Sequence, residues 1–328
     1  ISPVTDNDDP KTLFIVQTTM TFGDENSPSY IAETANRNDI ILAVEELFHD
    51  GRTGFDELEE IIFDEVNGSF MTYSSVSSAG TAGTWTLDAD VIPVFESIAE
   101  KADSNDLLIY FIAGHGMADG SLCFYNPDSD KDADLLSPAE FIGLMDGIRC
   151  NKLAFFLTCY SGTIADLGSG AMSDGLEIVQ DGEFFTAGFS ICKALSEAMS
   201  LQLGHGSSPR GNLWMIAASR SDQESMSFNM VDANGKRMTW DPFIDYIAQS
   251  FEYDDNDGSF AVTGQDRLSA MDIAANMARL YSMPVADASP SIPSVIIDSL
   301  DSLGEADMPL RSWQVLDYSL SGTDLVIF

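Results

Sequence analysis

Two residue types capable of nucleophilic catalysis occur in matched settings in this chain. His115 follows an unbroken apolar run, Leu107 to Ala113 (LLIYFIA), and is flanked by Gly114 and Gly116. Cys159 follows a second such run, Leu153 to Thr158 (LAFFLT), and leads into Tyr160-Ser161-Gly162. A thiolate attacks a carbonyl carbon, and an imidazole protonates the departing amine. The oxyanion that forms in between needs donors that approach without a side chain in the way. The backbone N–H groups of Gly116 and Cys159 are the expected pair, with Gly114, Gly116 and Gly162 permitting the tight turns. Taken alone, His115 reads as an ordinary turn histidine. Cys159 alone reads as a buried thiol, since free cysteine is among the most buried types. The match between the two settings is what points to chemistry.

Runs that are apolar throughout are expected of strands covered on both faces. A third such run, Leu213 to Ala218, ends at Ser219-Arg220-Ser221-Asp222-Gln223-Glu224-Ser225. Helical patterns lie between the runs. The expected fold is therefore α/β, a three-layer α-β-α sandwich with a mostly parallel sheet. In such sheets ligands bind beyond the carboxyl ends of the strands, so the three polar clusters should converge at one edge. His115 and Cys159 are 44 positions apart, room for a hairpin arm at Ser121 to Tyr125 and one crossover helix. That helix should start at Ser137-Pro138-Ala139-Glu140, which carries a cap, a proline at the first helical position and a capping box.

Other strands are expected at 12–18, 58–63 and 295–297. Other helices are expected at 38–48, 90–102, 189–201, 241–251 and 268–281, with loops at 74–83 and 163–182. Residues 1–11 read as an acidic lead-in, 12–300 as one domain, and 301–328 as an extension packing on it.

Composition narrows the function classes. The 328 residues include 53 acidic and 15 basic ones, a formal net charge of −38. A hydrophobic content of 45% is too high for a disordered acidic chain. So negative a field repels phosphate backbones and anionic lipid, which argues against nucleic-acid and membrane partners. No apolar run is long enough to span a bilayer. Cys123, Cys150, Cys159 and Cys192 are too few for a disulfide scaffold, and Cys123, Cys150 and Cys192 read as core thiols. His49 reads as a surface residue and His205 as part of a loop. The run Asp254 to Gly258 fails as an EF-hand loop, because Tyr253 and Gly264 fall where carboxylates are needed. No metal or cofactor is expected; the acidic composition leaves calcium open.

The order GHG after one buried strand and C-Y-S-G after the next resembles the caspase-like cysteine peptidases, and within them the legumain-type branch with its bacterial and archaeal relatives. Asp106-Leu107-Leu108-Ile109-Tyr110-Phe111, Ser121-Leu122-Cys123-Phe124-Tyr125 and the ASRSDQES stretch fit that branch. The resemblance spans Thr12 to Tyr281. It implies a sheet of about six strands and a His115–Cys159 dyad, with Gly116 and Cys159 at the oxyanion hole. It also implies a specificity pocket formed by the first-strand loop, by Leu157, and by the segment carrying Ser219 and Asp222. Relatives often carry an acidic or amide residue where this chain has Leu157, and Arg37 is the one basic residue in the first-strand loop. Asp222 would favour Arg or Lys before the cleaved bond. The expected activity is a cysteine endopeptidase acting on peptides or proteins. A transpeptidase and a non-catalytic binding module of the same fold are the rivals. The absence of Met at position 1, together with the resemblance, makes a secreted or cell-surface protein the expectation; the oligomeric state is open.

Overall fold

The computed structural model describes residues 10–19, 39–66, 69–74, 81–82, 85–117, 119–124, 134–158, 177–180, 183–186, 211–220, 225, 228–231, 237–288, 292, 294–312, 316–319 and 326–328. In chain order, β1 (Thr12–Thr19) is followed by α1 (Asp39–His49), β2 (Glu57–Val66), β3 (Ser69–Ser74) and β4 (Thr81–Ala82). A π-helical turn (Leu87–Val91) runs into α2 (Ile92–Lys101). Then come β5 (Leu107–Ala113), the short arms β6 (Leu122–Phe124) and β7 (Asp134–Leu136), α3 (Pro138–Gly147) and β8 (Asn151–Leu157). A hairpin, β9 (Glu177–Gln180) and β10 (Glu183–Thr186), precedes β11 (Leu213–Ala217). A second hairpin, β12 (Phe228–Val231) and β13 (Arg237–Trp240), leads to α4 (Pro242–Ser250). The chain continues through β14 (Tyr253–Asp254), β15 (Ser259–Phe260), α5 (Ala270–Tyr281), α6 (Val285–Ala288), α7 (Ser294–Leu303), a 3-10 turn (Leu310–Ser312) and β16 (Asp317–Ser319).

The main sheet has the order β16-β11-β8-β5-β1-β2-β3-β4. Its five central strands, β11, β8, β5, β1 and β2, are all parallel. The edges are antiparallel: β16 on β11, and β3 and β4 beyond β2. The sheet is thus wider than about six strands, because β2 folds back into a hairpin instead of ending the sheet.

Strand alternation builds a core on each face. On one face, Leu13, Ile15, Leu107, Ile109, Phe111, Leu153, Phe155, Trp214 and Ile216 meet residues of α1, α4 and α5. On the other, Phe14, Val16, Leu108, Tyr110, Ile112, Ala154 and Phe156 meet Phe95 and Ile98 of α2 and Phe141 and Met145 of α3. This is a three-layer α/β/α sandwich. The capping box at α3 is formed: Ser137 Oγ accepts from Glu140 N–H at 3.3 Å, and Glu140 Oε2 accepts from Ser137 N–H at 2.9 Å.

One expected strand is corrected. Residues 295–297 lie inside α7, where Ile296 and Leu300, four apart, bury one helical face. An apolar pair with a β-branched neighbour fits either period, and the core contact decides for the helix. The sheet's outer strand on that side is β16 instead. Ser74 also closes β3, and β9 falls in the stretch 163–182 read as a polar loop, with β10 just beyond it. The expected helix at 189–201 lies outside the described residues.

Candidate active site

The site begins where β5 and β8 end side by side. Their register places Ala113 opposite Leu157. One further backbone bond, Gly114 N–H to Leu157 C=O at 3.1 Å, carries the pairing past the last strand residue. On the other side of β8, Ala218 N–H donates to Phe156 C=O at 2.8 Å, and Ser219 Oγ donates to Thr158 C=O at 3.3 Å. The carboxyl ends of β5, β8 and β11 therefore lie at one edge of the sheet, with β8 between the other two.

His115 sits in a tight return toward β6. Its carbonyl accepts from Cys123 N–H at 3.1 Å, and Met117 N–H donates to Ser121 C=O at 2.9 Å. Between those bonds Gly116 faces Leu122. This pattern makes Gly116 and Leu122 a narrow antiparallel pair, in which each residue's own N–H points away from the partner strand. The Gly116 N–H is therefore turned away from β6, as an oxyanion donor requires. Gly120, at φ +84°, closes the turn with its N–H on Met117 C=O at 2.8 Å; that backbone region favours glycine. Asp119 Oδ1 accepts from Ser121 N–H at 2.9 Å, which holds its carboxyl below the usual range. His115 and Gly116 are both half-buried.

Leu157 is 7% exposed and belongs to the core on the α1 face. Ser219 is fully buried, with its hydroxyl turned to the Thr158 carbonyl. Both underlie the edge and join the strand ends. Cys159 and Asp222 lie outside the described residues, as do Arg37, Gly162, Cys192 and His205. The structure thus brings together His115, Gly116, Leu157 and Ser219, and it aligns the strand that leads directly to Cys159.

Residues that alternation would make apolar supply further contacts. Thr18 Oγ1 and Tyr110 OH share a buried hydrogen bond of 2.8 Å between β1 and β5. Burial pushes the Tyr110 hydroxyl well above its ordinary range, so it stays protonated. At the opposite end of the sheet, buried Lys152 donates to Ile148 C=O at 2.8 Å and Cys150 C=O at 2.9 Å. Cys123 and Cys150 are buried. Burial pushes the Cys150 thiol up to about 12, which removes it as a nucleophile.

In the acidic run at 254–258, Asp255 pairs with Arg52 at 2.7 Å, and two other carboxylates accept from the turn itself. Asp254 Oδ1 accepts from Asn256 N–H at 2.8 Å, and Asp257 Oδ1 accepts from Ser259 N–H at 3.0 Å. Among the described residues, no three His, Cys, Asp or Glu side chains are grouped to hold a metal ion. His49 is exposed at the end of α1. No helix among the described residues is long and apolar enough to cross a membrane.

No protein-family model matches the chain, and no curated protein matches it. Among solved structures it is similar to the crystal structure of protein GSU0716 from Geobacter sulfurreducens. The TM-score is 0.38 and the identity 13%, covering 82% of this chain and 89% of that one. At that distance the comparison transfers nothing about activity.

Proposed function

We propose that this chain is a cysteine endopeptidase of the caspase-like kind, with Cys159 as nucleophile and His115 as general acid and base. The observation that carries the reading is the register of β5 against β8, prolonged by the bond from Gly114 to Leu157. It makes the strand that leads to Cys159 end beside the strand that leads to His115. The thiolate attacks the scissile carbonyl carbon, and the C–N bond breaks as His115 gives a proton to the leaving amine. Water then hydrolyses the thioester, releasing the acid and regenerating the thiol. The outward-turned Gly116 N–H and the Cys159 N–H would stabilise the oxyanion in both steps.

Asp222 would set a preference for Arg or Lys before the cleaved bond. The acidity of the whole chain supports basic substrates, because a field of one sign raises the local concentration of the opposite one. The test is to incubate wild type and Cys159→Ala with a diverse peptide library and sequence the products. Cleavage by wild type alone, after Arg or Lys, is the expected result. Cleavage by both proteins would remove Cys159 from the chemistry, and no labelling of Cys159 by an alkylating probe in a silent wild type would overturn the reading in favour of a binding module. Products joined to an added amine would reassign the chain as a transpeptidase.

A further inference from the structure

Three successive carbonyls at the end of β8 take their donors from alternate sides. Phe156 C=O accepts from Ala218 N–H, on the β11 side, at 2.8 Å. Leu157 C=O accepts from Gly114 N–H, on the β5 side, at 3.1 Å. Thr158 C=O turns back to the β11 side, where the Ser219 hydroxyl donates to it at 3.3 Å. Thr158 and Ser219 are both fully buried. The last residues paired between β8 and β11 are Phe156 and Ala217. Beyond them, a side chain carries the alternation on to Thr158.

The carbonyl of Thr158 and the N–H of residue 159 belong to one peptide group. That group is planar and trans, so its C=O and N–H bonds point in opposite directions. With the carbonyl held toward β11, the N–H of residue 159 is directed toward β5. On that side the chain leaves β5 through Gly114 and His115 to Gly116, whose N–H is turned away from Leu122. A hydrogen bond received by the carbonyl also polarises the peptide and strengthens its N–H as a donor.

We infer that Ser219 is a positioning residue for the oxyanion hole. By holding the Thr158 carbonyl it aims the Cys159 N–H to the β5 side, where Gly116 supplies the other donor. The inference rests on the peptidase reading, which provides the nucleophile and the oxyanion. Such a donor acts as negative charge develops on the substrate carbonyl oxygen, and not on the thiolate before attack. Loss of the Ser219 hydroxyl therefore slows the chemical step and spares both substrate binding and thiol reactivity.

The test compares wild type with Ser219→Ala in three readings. The first is kcat and KM on one peptide that wild type cleaves. The second is inhibition by the aldehyde of the same peptide. There the S–C bond forms at the aldehyde carbon, the thiol proton passes to the former carbonyl oxygen, and that oxygen occupies the hole. The third is the rate of iodoacetamide alkylation mapped to Cys159, which displaces iodide and forms no oxyanion. Losing an oxyanion donor outright costs about 10²–10³-fold in kcat, so a misaimed one should cost about 10–10²-fold. KM should stay within about 2-fold of wild type. Aldehyde affinity should fall by about 10-fold or more, and the alkylation rate should stay within about 2-fold. Unchanged kcat and aldehyde affinity, or a loss of alkylation in proportion to the loss of kcat, would overturn the inference and leave the peptidase intact. A wild type without Cys159-dependent cleavage would overturn both.

Discussion

The N–H of Gly114 donates to the carbonyl of Leu157 at 3.1 Å, one residue beyond the last paired position of β5. The bond keeps the two strands side by side up to the point where their polar clusters begin. On the peptidase reading, His115 is then the dyad member whose place can be probed without disturbing a strand. His115→Ala should lower kcat by about 10²–10⁴-fold, the usual contribution of a general acid and base. Its thermal midpoint should match wild type. Steady-state kinetics beside a melting curve check this, and retention of full turnover would remove His115 from the chemistry.

Ser219→Ala tests the bond between the strand ends. The hydroxyl is fully buried and donates to Thr158 C=O at 3.3 Å. Its removal should cost about 1 kcal/mol, because a carbonyl inside the protein loses a donor. Denaturant titration would read that as a lower midpoint at constant m. No change would mean that the contact contributes nothing net.

Glu60 makes stability depend on pH. It is 5% exposed on β2, and its partner is Glu45 of α1, a second carboxylate. The neighbouring strands β1 (TLFIVQTT) and β3 (SFMTYS) carry no charged residue. Burial first, then the hydrogen bond and repulsion from Glu45, raise its pKa from 4.5 to about 8. Between those two values the folded chain holds a proton that the unfolded chain has released, so stability falls as pH rises. Above about 8 the loss is complete. Glu60→Gln should flatten the fall in thermal midpoint between pH 5 and 8 and raise stability at pH 8 by about 1–3 kcal/mol. A wild-type midpoint that rises across that range would contradict the assignment.

Cys150 should be silent to thiol reagents in the native protein. Burial holds its thiol at about 12, so almost no thiolate exists at neutral pH. Iodoacetamide labelling at pH 7.5 followed by peptide mapping should leave Cys150 unmodified, and labelling in denaturant should modify it. Rapid native labelling would show that the amino end of β8 opens.

Gly211 admits no side chain. Its φ is +71°, and a Cβ there would overlap the carbonyl of Cys150 and come within 2.8 Å of the Arg149 oxygen. Both obstacles are backbone, so neither can rotate aside. Gly211→Ala should destabilise by about 3 kcal/mol or more. A thermal midpoint within a degree or two of wild type would refute this close approach of the turn before β11.

Much of this protein could be read from the chain itself, for definite physical reasons. Strands buried on both faces need unbroken apolar runs, so β5, β8 and β11 stood out. Capping chemistry is local, so Ser137 and Glu140 marked the start of α3. The polar residues that end each run, His115, Cys159 and Ser219 onward, followed from the same segmentation. Other features depend on partners distant in sequence. Residues 295–297 fit a strand or a helix equally until Ile296 and Leu300 meet the core. The expected helix at 241–251 does not mark Asp245 as buried; it is Trp240, in another element, that turns its indole toward that carboxylate. Glu60 belongs to an acidic stretch that looks solvent-facing, and only the docking of α1 over β2 brings it against Glu45. Spacing along the chain records local geometry and periodicity. Burial, and which groups meet across the sheet and its two helical layers, arise only when the layers close.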